Sequence, residues 1–535
     1  MPSASPSPAE LSKQIKALST EVADVRADAA RLDELRRLYA RLTADGELTF
    51  GTAAPENKVA AKWRAFLMKY HKIMVSQLCE RVEMGRHSAI RCMFGVIAAS
   101  PCSQLDGKRK EYRYVNFDLL QKWLHSMALQ EADEMDRTMR HMVESEFLQP
   151  FRDIQYYALG AIIQQARDEY DRQKQTSSTR VAEKLLEFLM VIPFPKSEED
   201  ISSSQYLCPP PSDAVPVSED EQSSDEEGED DEESVEENDD KDRGRPRKRR
   251  KVSVHKFPFQ RLNSFMSEYQ KAWMAVLKLN LPLSSLKRCL SFLPHYVLDY
   301  VPNPLRFADF FMQAYSDHGS GLVGVLALDG LFELITENGL EYPNFYKQLY
   351  RLVSSRVLYA RHRSRFFSLL TKCLIRNEML PAHLVAAFCK RLCRAALSGP
   401  PPGVLFVLAL VSNLLRKHPE CTCLYDRKSS DEMTDEYLPQ EDDPAKTKAL
   451  QSSLWELDVL ERHYYAPVAT LAKSIGTPSE ANAPPHNMDE FSSHTYTSLF
   501  DQERKKRSKK TALTFKEPES LFGDNDVFAG VLAFC

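Results

Sequence analysis

Apolar residues in this chain return every third or fourth position through most of its 535 residues, and no stretch sustains the period-two alternation of a half-buried strand. Trp63, Phe66, Tyr70, Ile73 and Leu78 form one stripe, Phe117, Leu120, Leu124 and Met127 a second, and Ile154, Ala158, Ile162 and Ala166 a third. A stripe of that spacing gathers on one side of the backbone only if the backbone is helical. Glycine is scarce, 18 in the whole chain, so the expected class is all-α. Cys102 to Arg113, with Gly107 and several charges, reads as a loop.

The same pattern resumes after position 257. Pro304, Pro343 and Pro381 each precede a periodic apolar run, where a missing N–H costs nothing. Phe345, Leu349, Leu352 and Val353 share one face, as do Phe366, Leu369, Leu370, Cys373 and Leu374. Leu384, Val385, Phe388, Leu392 and Ala396 follow, and later Leu454, Leu457, Leu460 and Tyr464. Helices of this length with short connections suggest a HEAT/armadillo-like helical-repeat solenoid, although no fixed-period repeat is visible. Near the start, Leu11, Ile15, Leu18, Val22, Val25, Ala29 and Leu32 make a heptad seam on one helix from Pro8 to Leu42. That helix is either a coiled-coil arm for a partner or an amphipathic helix folded back on its own domain.

Between the two helical regions the composition changes. Pro193 to Pro216 is rich in Pro and Ser, Ser218 to Asp240 holds fifteen acidic residues and no basic one, and Lys241 to Lys251 is basic. Too little apolar area is present to offset the entropy of ordering. The expected organisation is therefore an amphipathic helix over 1–50, a helical domain over 51–195, a disordered linker over 196–256, a helical-repeat domain over 257–475 and an extended tail over 476–535. The formal net charge of -6 conceals a body at +9 once the acidic run is set aside, a balance suited to work among nucleic acids and basic proteins.

Eleven scattered cysteines, among them Cys389 and Cys393 on an apolar face, read as reduced core residues. Met1 to Glu10 lacks the apolar core of a secretory signal. The longest uncharged apolar run, Gly403 to Leu415, is too short to span a bilayer, so no membrane association is expected.

Gly319-Ser-Gly321-Leu-Val-Gly324 matches a dinucleotide fingerprint by spelling, but a helical pattern precedes it where a strand is required, and a helix–helix turn fits better. His418, Cys421 and Cys423 lack a second ligand pair at zinc-site spacing. No nucleophile elbow, Walker loop or zinc-protease motif occurs, so catalytic residues, metals and cofactors are not expected. Arg245, Arg247, Lys248, Arg249, Arg250 and Lys251 form a run that an import receptor can read, unless it contacts RNA nonspecifically or is merely solvated. Arg504 to Lys510 is a second basic cluster. Ser223 and Ser224, followed by Asp225, Glu226 and Glu227, are candidate phosphorylation sites. Arg351, Arg356, Arg361, Arg363 and Arg365 crowd one helix junction and suit phosphate or an acidic partner, unless they only solvate that face.

Four blocks carry a resemblance. Leu328-Asp-Gly-Leu-Phe-Glu-Leu-Ile335 with Leu340-Glu-Tyr-Pro-Asn-Phe-Tyr-Lys-Gln-Leu-Tyr350 resembles the signature of the CCAAT-binding-factor-type nucleolar complex (Noc) proteins. Leu380 to Leu392 and Asn413 to Pro419 fit the same family, and Ser453 to Leu457 with His463 to Pro467 resembles one branch of it. The resemblance implies a non-enzymatic helical-repeat factor of the nucleus and nucleolus that assembles the small ribosomal subunit and serves rRNA processing. It implies as partners a nucleolar protein fourteen-type assembly factor and other small-subunit processome proteins, with pre-rRNA touched indirectly or weakly. Leu340, Glu341, Tyr342, Pro343, Phe345, Tyr346 and Tyr350 become the motif and candidate interface, with the Tyr346 and Tyr350 hydroxyls expected at a rim. A transcription cofactor, from the family's older name, and an importin-like adaptor are the alternatives.

Overall fold

A computed structural model of the chain describes residues 8–23, 29–44, 58–84, 86–99, 104–106, 109–113, 115–129, 138, 140–174, 179–202, 204–208, 257–319, 321–377, 379–425, 435–475, 477 and 484–506. They fall into two compact units, Met1–Glu341 and Tyr342–Cys535.

The first unit runs α1 (Pro8–Ala23), α2 (Ala29–Ala44), α3 (Lys58–Glu83), α4 (His87–Ala99), α5 (Phe117–Leu129), α6 (Arg152–Gln173), α7 (Arg180–Val191), α8 (Glu198–Ser202), α9 (Leu262–Leu277), α10 (Leu283–Tyr296), α11 (Ala308–His318) and α12 (Leu322–Asn338). The seam read as one helix is two, and it folds back on its own unit: α1 packs on α3 and α2 on α4. Leu11, Ile15 and Leu18 of α1 and Leu32, Leu35, Tyr39 and Leu42 of α2 are buried. Val25 lies outside the described residues.

On α3 the buried face is Leu67, His71, Met74, Leu78 and Val82, about one position round from the stripe read in the sequence, and Ile73 is exposed. The half-buried Trp63, Phe66 and Tyr70 stack along a second side, with Lys16 of α1 lying 5.9 Å over the Phe66 ring. A helix covered on two sides has no single stripe, which is why its pattern misleads. Within the stretch read as a loop, Gln104–Asp106 (β1) and Arg109–Arg113 (β2) pair antiparallel. Strands this short hold too few positions for a period to register.

The units do not divide where the composition does. Beyond the acidic and basic run, α9 packs on α6, burying Phe265 near Tyr156 and Phe194. Ser285 of α10 donates to Glu183 of α7 at 2.7 Å, and Arg288 reaches Glu187 at 2.8 Å. Composition shows which residues do not bury themselves, but not which helices later meet. The Gly319–Gly324 stretch joins α11 to α12, and a helix, not a strand, precedes it. Gly321 holds φ at 88°, open to glycine at little cost. Gly330 lets α12 press against α11, since a Cβ there would come within 2.2 Å of the Phe311 ring.

The second unit runs α13 (Phe345–Leu352), α14 (Ser355–Tyr359), α15 (Arg363–Leu370, extended by a wider turn over Thr371–Arg376), α16 (Ala382–Ala396), α17 (Pro401–Lys417), α18 (Trp455–Leu460), α19 (Ala466–Ser474), α20 (Met488–Ser493) and α21 (Tyr496–Lys505). Prolines set the starts: Pro381 caps α16, and Pro401 and Pro402 open α17. Every residue of α17 from Pro401 to Leu415 is buried, and α16, α19 and α20 pack around it. The uncharged run is thus the axis of a core. Among the described residues no helix is long and apolar enough to cross a membrane. The class is all-α, with helices stacking on sequence neighbours as in helical repeats, α11 on α12 and α16 on α17.

Candidate functional site

Three of the sequence blocks meet at one buried polar cluster. Lys390 is on α16 among apolar neighbours, so its ammonium must find partners inside. Its Nζ lies 3.0 Å from Glu456 Oε2 on α18 and 3.6 Å from Asp435 Oδ2, donates to the Ser453 carbonyl, and sits 5.2 Å from the Trp455 ring. Asp435 accepts in turn from Ser452 Oγ at 2.6 Å, Trp455 Nε1 at 3.1 Å and the Tyr437 N–H at 3.2 Å. Burial works against the Asp435 charge, but these hydrogen bonds and Lys390 together hold its carboxyl below the usual range. Burial raises the Glu456 carboxyl against the pull of Lys390.

The Tyr350 ring completes the cluster. Its hydroxyl is 2.8 Å from that of Tyr437, and the Arg391 guanidinium lies 4.3 Å over its ring while donating to the Val353 carbonyl. Asn413 to Pro419, at the end of α17, binds backbone in a similar spirit. Asn413 Nδ2 donates to the His486 carbonyl at 2.9 Å and its Oδ1 accepts the His486 N–H at 2.8 Å. Arg416 donates to Pro484 O, and Lys417 Nζ to Ile375 O and Asn377 O. Lys390 and Glu456 are shut away from solvent while Asp435 and Trp455 stay partly open, and the interactions among them fix which helices meet.

Residues 324–472, spanning these blocks, match the model of the CBF/Mak21 family. The chain is similar to that family over this segment. It is 40% identical over 257 residues to Nucleolar complex protein 4 homolog B of Xenopus laevis, covering 48% of each chain. Over 286 residues it is 38% identical to Protein NUCLEOLAR COMPLEX ASSOCIATED 4 of Arabidopsis thaliana, covering 48% of this chain and 49% of the other. The Homo sapiens Nucleolar complex protein 4 homolog is 39% identical over 257 residues, with 48% and 49% covered. The chain spans about half the length of the curated relatives it matches.

Within the matched segment the motif residues divide between core and surface. Phe345 and Leu349 are in the core, as their spacing requires. Tyr350 has no exposure, so its hydroxyl is inside rather than at a rim. Tyr346 is half-buried and its hydroxyl accepts from Asn377 Nδ2 at 2.8 Å. Glu341 and Pro343 are exposed, Leu340 and Tyr342 are half-buried, and Pro343 sits in the turn leading into α13. Tyr464 lies beyond the end of α18 and faces solvent, so it does not share the apolar side of Leu454, Leu457 and Leu460.

The arginines stay outside the core. Arg351, Arg356, Arg361 and Arg365 are exposed, and Arg363 is half-buried. Arg351 pairs with Asp442 at 3.4 Å, and Arg363 donates to the His494 carbonyl at 2.8 Å. Ser223, Ser224 and the basic run Arg245 to Lys251 lie outside the described residues, as do Arg507 to Lys510.

Two other features bear on chemistry. A cleft of about 610 Å³ among α3, α5 and α6 of the first unit is lined by Lys72, Cys79, Asp118, Lys122, His125 and Asp168. Burial raises its Cys79 thiol, the reverse of what a nucleophile needs, and His125 Nδ1 is 2.9 Å from the Gln165 amide. Among the described residues no group of three His, Cys, Asp or Glu side chains is placed to hold a metal. Cys421 Sγ points to the Ala382 carbonyl at 3.5 Å. Sequence reading missed Lys390, Asp435, Tyr437 and Glu456. Its one available signal was a lysine on the apolar face of α16.

Proposed function

We propose that this chain is a non-enzymatic scaffold of the nucleus and nucleolus that assembles the small ribosomal subunit and supports pre-rRNA processing. The observation that carries the reading is the 38–40% identity over about half the chain to proteins named Nucleolar complex protein 4 homolog in frog and human and NUCLEOLAR COMPLEX ASSOCIATED 4 in the plant. The helical-repeat class supports it, because stacked amphipathic helices offer long surfaces for other proteins. The proposed partners are a nucleolar protein fourteen-type assembly factor and other small-subunit processome proteins, with an import receptor engaging Arg245 to Lys251. With Phe345 and Tyr350 of the motif buried, the proposed partner meets the exposed outer faces of the helices.

Affinity purification of the full chain from nuclear extract, with identification of bound protein and RNA, tests this. Small-subunit precursor rRNA and its processing factors are expected. A complex enriched in promoter DNA, or in import cargo released by a small GTPase, and free of ribosomal precursors would overturn it.

A further inference from the structure

The second unit has one face built unlike the rest of it. Between Tyr342 and Asn377 there are eight Lys and Arg residues and no Asp or Glu. Arg356 and Arg361, both exposed, make no ion pair among the described residues. Between them in sequence is Tyr359, and with Tyr464 and Tyr496, from distant parts of the chain, it makes three tyrosines with 60%, 82% and 57% of their surface open to solvent. Several contacts bring them together. Arg363 donates to the His494 carbonyl, which fixes the start of α21 and with it Tyr496. The Tyr465 hydroxyl reaches Glu503 of α21 at 3.4 Å, holding the neighbouring Tyr464 along the same helix. The Tyr496 hydroxyl is raised by partial burial and then by the hydroxyls of Tyr464 and Tyr359, while Arg363 opposes them. All four side chains are thus within electrostatic reach of one another.

Large aromatic rings this open to water are disfavoured unless something covers them, and they are not an aliphatic groove of the kind a helix fills. The segment from Tyr342 to Asn377 contributes cations and no carboxylate, and the nearby Glu503 is paired with Lys506, a balance that favours a polyanion. An acidic peptide satisfies the cations but leaves the rings idle. Bases stack on rings, and phosphates answer guanidinium groups.

We propose that the face formed by Tyr359, Tyr464 and Tyr496 with Arg356 and Arg361 binds single-stranded RNA, the bases stacking on the tyrosines and the backbone running along the arginines. This goes beyond the scaffold reading, which needs no RNA contact, and it stands or falls separately from it.

The test uses the full purified chain and a fluorescein-labelled, uridine-rich single-stranded RNA of about fifteen nucleotides, long enough for one groove. Ultraviolet crosslinking with peptide mapping locates the contact, and fluorescence anisotropy measures it. Crosslinks at Tyr359, Tyr464 or Tyr496 are expected. The double variant Tyr464→Ala/Tyr496→Ala should weaken binding by about tenfold or more. Tyr464→Phe/Tyr496→Phe, which keeps the rings, should bind as the parent does. Arg356→Gln/Arg361→Gln should flatten the dependence of log affinity on log salt by about 1.4. Unchanged melting by circular dichroism shows that the variants fold. Crosslinks confined to Arg245 to Lys251, an alanine variant that binds like the parent, or equal competition by a polyglutamate peptide would each overturn the proposal, the last in favour of an acidic protein partner.

Discussion

Lys390 Nζ lies 3.0 Å from Glu456 Oε2, a residue 66 positions away, and neither side chain has any exposure to solvent. Two charges withdrawn from water seldom stabilise a fold more than apolar residues of the same volume would. What they impose is selectivity, because any arrangement of α16 and α18 that separates them leaves a bare charge inside. That gives the lysine of the Leu380 block and the glutamate of the Ser453 block a shared structural reason to be where they are.

Lys390→Met is expected to destabilise the second unit by about 3–5 kcal/mol, because Glu456 is left with Arg394 at 4.0 Å as its remaining cation. Adding Glu456→Leu should recover most of that loss. Urea titrations of the parent, both single variants and the double form a thermodynamic cycle, with the Trp455 fluorescence beside Lys390 as a local reporter. A double variant no more stable than the worse single would refute the pairing.

Tyr350→Phe removes a hydroxyl whose partner, Tyr437, is also buried. The expected cost is about 1–3 kcal/mol, since the Tyr437 hydroxyl is left without its hydrogen bond. Tyr350→Phe/Tyr437→Phe should cost less than the sum of the two singles. Additive losses in the same urea measurement would show that the two hydroxyls are not coupled.

Gly330→Ala places a methyl against the Phe311 ring, which has no exposure and no room to withdraw. Overpacking of this kind costs about 1–3 kcal/mol. Phe311→Leu should relieve part of it in the double variant, although alone it is destabilising. A shift in melting temperature that is the same with and without Phe311→Leu would place the strain elsewhere.

Much of the fold was legible because period 3.6 is written locally: Ile154, Ala158, Ile162 and Ala166 are all buried, as are Leu384, Val385, Phe388 and Leu392. The reading slipped where a helix is covered on two sides, as at Phe66 and Leu67, and where a helix ends early, as at Tyr464. The candidate site was less legible for a different reason. Nothing near Asp435 in sequence announces that Ser452, Trp455 and Lys390 will close around it, since an acidic residue in a polar stretch is ordinarily solvated. The arginines around Arg356 stood out as charges, but the tyrosines that give that face its character come from three separate segments.

His71 gives the first unit a dependence on pH. Its Nδ1 is 2.9 Å from the Tyr39 hydroxyl, and burial, then the charges of Lys122 and Lys72, push its pKa down to about 4 from an ordinary 6.5. In that window the unfolded chain takes up a proton that the folded one refuses, so stability is complete above the ordinary value and falls as pH drops toward the folded one. The loss across the window is about 3 kcal/mol. Other groups titrate there too, so the comparison is between the parent and His71→Gln, which keeps a hydrogen-bond acceptor for Tyr39 but does not titrate. Urea midpoints measured from neutral pH down to the acid end of the window should converge as the parent loses its margin over the variant. Curves that stay parallel would mean that the histidine is protonated in the folded chain or that the α2–α3 contact does not exclude water.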